Sequence, residues 1–237
     1  MSGFFRLFSF LKEFSQFRRI EKPRSPRFPL RWTDLYPCLR DRTASSHFDH
    51  HYVYHTSWAA RILAQTMPEL HIDFASDLRF ATIISAFIRV QYYDYRPAQI
   101  NLHNLSSHYV DILSLPFATG SARSVSCMHV VEHIGLGRYG ESLDYDGDLK
   151  AIGELKRILG NDGNLLFVVP VGEPRIKFNA HRIYSYEQII DYFSGLELKE
   201  FSLIPDNGQN GLIRKASPMI ANEQKYGCGC FWFTRVG

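Results

Sequence analysis

Residues 148–169 read DLKAIGELKRILGNDGNLLFVV, and this stretch decides the fold class. Its first half, 148–159, has the spacing of an amphipathic helix. That helix is expected to stop at Gly160-Asn161-Asp162-Gly163, a strong turn signal. Leu165–Val169 is then a continuous apolar run, the pattern of a strand buried on both faces. Outward toward the N-terminus, His71–Phe74 and Val90–Tyr93 are strand candidates around a helix near Arg79–Ile88, and Ser124–Met128 is a later strand. Outward toward the C-terminus, Ser185 with Gln188 three positions on forms a capping box that starts a helix over 186–193. Strands near 197–204 and 230–235 finish the chain. Strands alternating with helices predict an α/β domain with a doubly wound, mostly parallel sheet.

The chain has 237 residues, 45% hydrophobic and 22% charged, enough to bury a full core and to exclude a disordered or low-complexity scaffold. No uncharged apolar run approaches the roughly 18–20 residues of a bilayer span. The N-terminus alternates Phe with Arg, Lys and Glu and has no small-residue cleavage site, so it does not read as a secretory signal. Cys38, Cys127, Cys228 and Cys230 are too few and too badly spaced for a disulfide framework or a zinc site. The expectation is a reduced, cytoplasmic, globular protein without a metal. Net charge is +3, but residues 1–31 carry +6 and the remainder −3. The basic character belongs to a tail rather than to a folded face, so nucleic acid is not an expected partner. Within that tail, 3–19 (GFFRLFSFLKEFSQFRR) places Phe4, Leu7, Phe8, Leu11 and Phe14 at helical spacing, and 22–30 (KPRSPRFPL) reads as an extended linker. The organisation expected is an arm, 1–31, ahead of an α/β domain, 32–237. The Phe stripe packs on the body or a second copy, or else lies on an anionic membrane surface.

In an open parallel sheet, ligands bind at the C-terminal strand ends near the reversal of strand order. The residues there are Asp73, Ala75, Ser76 and Asp77; then Asp94, Tyr95 and Arg96; then Asp111; then His129, Glu132 and His133. Three stretches in this order, YYDYRP (92–97), DILSLPFATGSARSVSCMHVVEHI (111–134) and ELKRILGNDGNLLFVVP (154–170), resemble the class I S-adenosylmethionine-dependent methyltransferases. The resemblance implies a seven-stranded Rossmann-like methyltransferase fold. Asp94 matches the residue that holds the ribose hydroxyls, and Asp111 the adenine contact. WAARILAQ (58–65), HVVEHIGLGRYGESLDYDG (129–147), FNAHRIYS (178–185) and the final FWF are similar to a narrower methyltransferase-related family of unknown function, first catalogued from Caenorhabditis proteins.

From this resemblance, S-adenosylmethionine is the implied cofactor, held by Asp73, Ala75, Ser76, Asp94, Tyr95, Asp111, Ile112 and His129. The implied acceptor is a small molecule or a saccharide precursor. The family's glycine-rich first loop is replaced here by DFASDLRF, with Ala75, Asp77 and Arg79 where the glycines stand. Three readings follow: an unusual working site, a different ligand, or a lost one. A working enzyme gains from a general base when the acceptor is a hydroxyl, and His129, His133 and His181 are the candidates. His129, Glu132 and His133 also spell H-x-x-E-H, an inverted zinc-hydrolase pattern that requires a helix. The loop 135–147 offers Arg138, Tyr139, Asp144 and Asp146 as substrate contacts, with Asp146 as a helix cap in the alternative reading. Arg175, Asn179, His181 and Arg182 are placed to bind an anionic or sugar substrate, and in the alternative reading His181 and Arg182 pair with nearby carboxylates. The alternative to an enzyme is a non-catalytic methyltransferase-like module that binds a protein partner or membrane through residues 1–31.

Overall fold

The computed structural model describes residues 3–21, 28–208 and 210–237, so residues 22–27 of the expected linker lie outside the described residues. The chain divides into two compact units, Met1–Phe48 and Asp49–Gly237. The sequence reading placed this boundary at 31/32; the contacts place it at 48/49.

In the first unit, α1 (Gly3–Glu21) forms over the Phe-rich stretch. Phe14 is buried, its ring centroid 4.5 Å from that of Trp32, while Glu13 pairs with Arg42 at 2.6 Å. Phe4, Phe5, Phe8 and Phe17 stay more than half exposed. No helix among the described residues is long and apolar enough to cross a membrane.

The second unit runs through α2 (His50–Thr66), β1 (Leu70–Phe74), α3 (Leu78–Ile84), β2 (Arg89–Asp94), β3 (Leu105–Tyr109), β4 (Ala122–Met128), α4 (Gly147–Ile158) and β5 (Leu159–Val171). It continues through β6 (Arg175–Lys177), β7 (His181–Ile183), α5 (Tyr186–Tyr192), β8 (Glu197–Ile204), α6 (Pro218–Asn222) and β9 (Gly227–Thr234). The main sheet has seven strands in the order β3-β2-β1-β4-β5-β9-β8. Its strands are parallel except β9, which is antiparallel to both β5 and β8. β6 and β7 form a separate hairpin. The doubly wound, mostly parallel seven-stranded sheet is as expected.

Period-two alternation explains the two layers. Leu165, Phe167 and Val169 of β5 join Ile152, Leu155 and Ile158 of α4 on one face. Leu166 and Val168 join Trp58, Ile62 and Leu63 of α2 and Phe80 and Ile84 of α3 on the other. Trp58 donates its indole N–H to the buried Glu200 carboxylate at 3.1 Å, tying α2 to β8. Between β1 and β4 the core holds a polar chain. His71 bonds the Ser124 and Ser126 hydroxyls, each at 2.8 Å, and Ser126 donates to Asp73.

Three local expectations need correction. α4 stops ahead of GNDG, at Ile158, but the strand starts before Leu165: Leu159 already pairs with Ala122 and Asn164 with Ser124, so 160–163 loop out as a bulge inside a 13-residue strand. Asp162 takes φ 57° there, and its N–H still donates to Arg235 O at 2.8 Å. α3 stops at Ile84 rather than Ile88: beyond it the Ala86 and Phe87 N–H groups turn to the carbonyls three residues back, on Ile83 and Ile84. β3 was not expected, since its LSSHY lacks an apolar run; it is an edge strand paired only with β2. The capping box at Ser185 and Gln188 is present.

Candidate functional site

A cavity of about 430 Å³ opens at the C-terminal ends of β1, β2 and β4, where strand order reverses between β1 and β4. Its walls include Ala75 after β1, Asp94, Tyr95 and Arg96 from the end of β2, and Asp111 and Ile112 after β3. His129 and His133 follow β4, and Tyr139 rises from the loop 135–147.

The first loop keeps a glycine-like path without glycine. Ala75 sits at φ 52°, in the left-handed region, with its N–H donated to Tyr93 O at 2.8 Å. Asp73 is fully buried; it accepts from the Ser126 hydroxyl and from Ser76 N–H at 3.0 Å, and burial pushes its carboxyl up to about 6. Ser76 is buried too, its hydroxyl accepting from Met128 N–H at 3.1 Å. Asp73 and Ser76 therefore shape the loop from behind and are not among the residues lining the cavity. Asp77 caps α3 by accepting Arg79 N–H at 2.8 Å, and its second interaction is a fork with the Arg79 guanidinium. Those bonds hold the Asp77 carboxyl below its usual range. The extra negative charge is thus compensated within the loop.

Asp94 and Asp111 are each fixed by a backbone N–H two residues on, from Arg96 at 2.8 Å and from Leu113 at 2.9 Å. Asp94 also accepts from the Tyr92 hydroxyl at 3.0 Å. A carboxylate has about four lone-pair sites, so both retain acceptor capacity toward the cavity. Over the mouth, the Arg96 guanidinium lies 4.5 Å from the centroid of the Tyr139 ring.

The three histidines part company. His129 takes φ 58° at the end of β4; its Nδ1 bonds the buried Glu132 carboxylate at 2.8 Å and its Nε2 faces Cys228 Sγ at 3.4 Å. Burial lowers His129 to about 4 and raises Glu132 to about 7. His133 lies on a 3-10 turn, Val131–His133, with Nδ1 2.5 Å from Ala180 O. The Ala180 carbonyl only accepts and calls for a proton on Nδ1, while the Arg138 guanidinium only donates and stands 3.0 Å from Nδ1 and 3.4 Å from Nε2. Burial also lowers the His133 pKa, which keeps the ring neutral. His181 is not among the lining residues, and its Nε2 is buried without a hydrogen-bond partner. A single 3-10 turn does not set His129 and His133 on one helix face, so the H-x-x-E-H pattern forms no inverted-zincin pair.

The other candidate contacts lie apart from the cavity or serve the scaffold. Arg175 is bound to the carbonyls of Glu173 and Lys225, and Asn179 is exposed. Arg138 donates to Ala180 O at 3.2 Å. Arg182 is buried against Asp148 at 3.5 Å and bonds the carbonyls of Ile134 and Tyr145, so it anchors the loop 135–147. Asp146 stands at the cap position of α4 without a side-chain cap bond. Asp144 does line the cavity and pairs with Lys150 at 2.6 Å. Sequence reading did not single out Glu141, which accepts Gly137 and Tyr139 N–H groups and so gives the loop its shape. It also missed the wall of His51, Tyr52 and Tyr226 around His129. The FDHHYVYH run of residues 48–55 was the available signal.

The family model described as "Caenorhabditis protein of unknown function, DUF268" matches residues 77–207. No curated protein matches the chain. Among solved structures, the chain is similar to 1,6-didemethyltoxoflavin-N1-methyltransferase from Burkholderia thailandensis, solved with bound 1,6-didemethyltoxoflavin and S-adenosylhomocysteine. That likeness has a TM-score of 0.53 at 11% identity, over 77% of this chain and 79% of that one. It is similar to the YcgJ protein of Bacillus subtilis, with a TM-score of 0.52 at 15% identity, over 76% of this chain and 100% of that one. The cyclase SpnF aligns with a TM-score of 0.53 at 14% identity, over 77% of this chain and 82% of that one. At such identities the likeness shows the fold alone, and a fold of this kind hosts different chemistries.

Proposed function

Because the chain belongs to the DUF268 family and has a class I methyltransferase-like fold, we propose that it is an S-adenosylmethionine-dependent methyltransferase acting on a small molecule or a saccharide precursor. The observation that carries this reading is the convergence of Ala75, Asp94 and Asp111 on one cavity at the reversal of strand order. Its volume falls within the range of small-molecule sites.

The residues fit the cofactor. Ala75 holds the backbone conformation that the missing glycine would supply, and Arg79 neutralises Asp77. Asp94 would accept from the two ribose hydroxyls and Asp111 from the adenine amine, with Ile112 and Tyr95 beside them. When bound, S-adenosylmethionine supplies a methyl group on an already activated sulfonium. What remains for the chain is alignment of the acceptor and removal of its proton. His133 is the base, since it lines the cavity and burial holds its pKa down, which keeps the ring neutral. Tyr139 and Arg96 at the mouth offer a ring face and a cation to a polyhydroxylated or anionic acceptor.

Titration calorimetry with S-adenosylmethionine and S-adenosylhomocysteine tests the reading. Micromolar binding that Asp94→Ala abolishes supports it; absence of heat and of thermal shift at millimolar ligand refutes it. The exposed Phe4, Phe5, Phe8 and Phe17, interleaved with Arg6, Lys12, Arg18 and Arg19, favour a second role for residues 1–31. We read this arm as a peripheral contact for a membrane surface or a protein in the cytoplasm. If the protein is instead a non-catalytic binding module, deleting 1–31 removes its partner; an enzyme keeps its cofactor affinity.

A further inference from the structure

We propose that His51, His129 and Cys228 form a binding site for one zinc-class divalent ion, with Glu132 as the outer partner that orients His129. Their ligand atoms lie within 4.8 Å of one another. The three come from α2, from the turn after β4 and from β9, so the fold alone assembles the set.

One edge of the group already has the spacing of a coordination sphere. In a tetrahedral site with Zn–N near 2.0 Å and Zn–S near 2.3 Å, ligand atoms stand about 3.5 Å apart. His129 Nε2 and Cys228 Sγ are 3.4 Å apart. His51 is half-buried on α2, with its ring parallel to that of His129 at 5.9 Å, and closing the set asks for a displacement of about 1 Å by this side chain.

Glu132 accepts from His129 Nδ1 at 2.8 Å, which fixes the tautomer and turns the Nε2 lone pair toward Cys228. A carboxylate behind a ligating imidazole is the usual support of a zinc-bound histidine. The other Glu132 oxygen is buried with no hydrogen-bond partner, a cost that a nearby cation would offset. Tyr52 and Tyr226 pack against His129 and His51 and wall the group with rings.

A thiolate with two imidazoles suits zinc and cobalt and disfavours magnesium and calcium. Binding releases the Cys228 thiol proton to solvent, and both imidazoles coordinate as neutral donors. Three protein ligands leave a fourth position for water or an acceptor atom, as in open zinc sites. His129 is shared with the cavity wall, so such an ion adjoins the proposed methyl-transfer site without depending on that reaction.

The test is a cobalt(II) titration of the full-length, chelator-treated protein, read by absorption, with zinc competition. One equivalent is expected to produce thiolate-to-cobalt charge transfer and the intense visible bands of a four-coordinate ion. Cys228→Ser should abolish the charge transfer. Cys230→Ser should keep it, although that thiol lies only 4.0 Å from Cys228 Sγ. Glu132→Gln should weaken binding about 10–100-fold. Should Cys228→Ser fail to fold, His51→Ala serves in its place, since His51 is only half-buried, and is expected to lower affinity and change the visible bands. Absence of charge transfer at saturating cobalt, or a band that survives Cys228→Ser or leaves His51→Ala unchanged, overturns the proposal and leaves a thiol–imidazole hydrogen bond.

Discussion

Replacing Ala75 by glycine should stabilise the domain and leave its cofactor site intact. Ala75 sits at φ 52°, where a β-carbon costs roughly 1–2 kcal/mol relative to the right-handed region. Glycine removes that cost but loses about 0.5–1 kcal/mol through the greater freedom of the unfolded chain. The difference is a gain of up to about 1.5 kcal/mol, or a rise in Tm of up to about 6 °C for a domain of this size. Ala75→Val should do the reverse, because a β-branched side chain tolerates the left-handed region worst and would intrude on the cavity that Ala75 lines. The assay is thermal unfolding of the three proteins, followed by calorimetric titration of S-adenosylhomocysteine. Affinity should be equal or higher in Ala75→Gly and lower in Ala75→Val. A glycine variant less stable than the parent by 1 kcal/mol or more would falsify the claim that the first loop strains toward a glycine conformation.

Two further outcomes follow from the histidines. His133→Gln keeps a donor for Ala180 O but removes the imidazole base, so kcat should fall about 10²–10⁴-fold while cofactor affinity is unchanged. In the parent, kcat should fall only below a pH that lies under the ordinary histidine value, because burial depresses the His133 pKa. The second outcome concerns stability. Burial lowers His55 and His71 to about 3 and His129 to about 4, so the folded state refuses protons that the unfolded chain accepts near 6.5. Their stabilising contribution is complete above pH 6.5 and is lost as pH falls toward 4. Glu132, raised to about 7, and Asp73, raised to about 6, work in the opposite sense as pH falls through those values and cancel part of it. Unfolding free energy should therefore drop between pH 6.5 and 5, by on the order of 1.4 kcal/mol per pH unit for each net proton, and Tm should fall with it. His55→Gln should flatten that slope; an unchanged slope would contradict the assignment.

The parts of the fold that sequence reveals are those whose signal is local. Leu165–Val169 declares a doubly buried strand by composition, and Ser185 with Gln188 declares a helix start by hydrogen-bonding capacity. Asp94 could be placed at the cavity because it ends a strand legible in the sequence and Asp111 only through the family resemblance; each closes its own turn two residues on. What was hidden depends on distant pairing. The Ser-Ser-His centre of β3 looks like a loop until β2 supplies its hydrogen bonds. The GNDG sequence is a turn locally, yet Ala122 and Ser124 of β4 bridge it into a bulge. Glu132 reads as a loop residue, whereas its burial against His129 follows from how the end of β4 meets β9 and α2. Cys228 looks isolated by spacing and gains histidine neighbours only through the tertiary fold.

The polar chain between β1 and β4 has a consequence for how the two halves of the sheet come together. These strands meet through only two paired positions, Ile72 with Val125 and Asp73 with Ser126. Apolar residues alone would tolerate a slide of two positions, since both alignments keep the same faces inward. Here a slide would strand the His71 ring, two serine hydroxyls and the Asp73 carboxylate in the core, at about 1–3 kcal/mol for each unsatisfied group. The chain thus acts as a vernier: only one alignment of the two strands closes every bond, and it fixes the separation of Ala75 from His129 across the crevice before any ligand arrives.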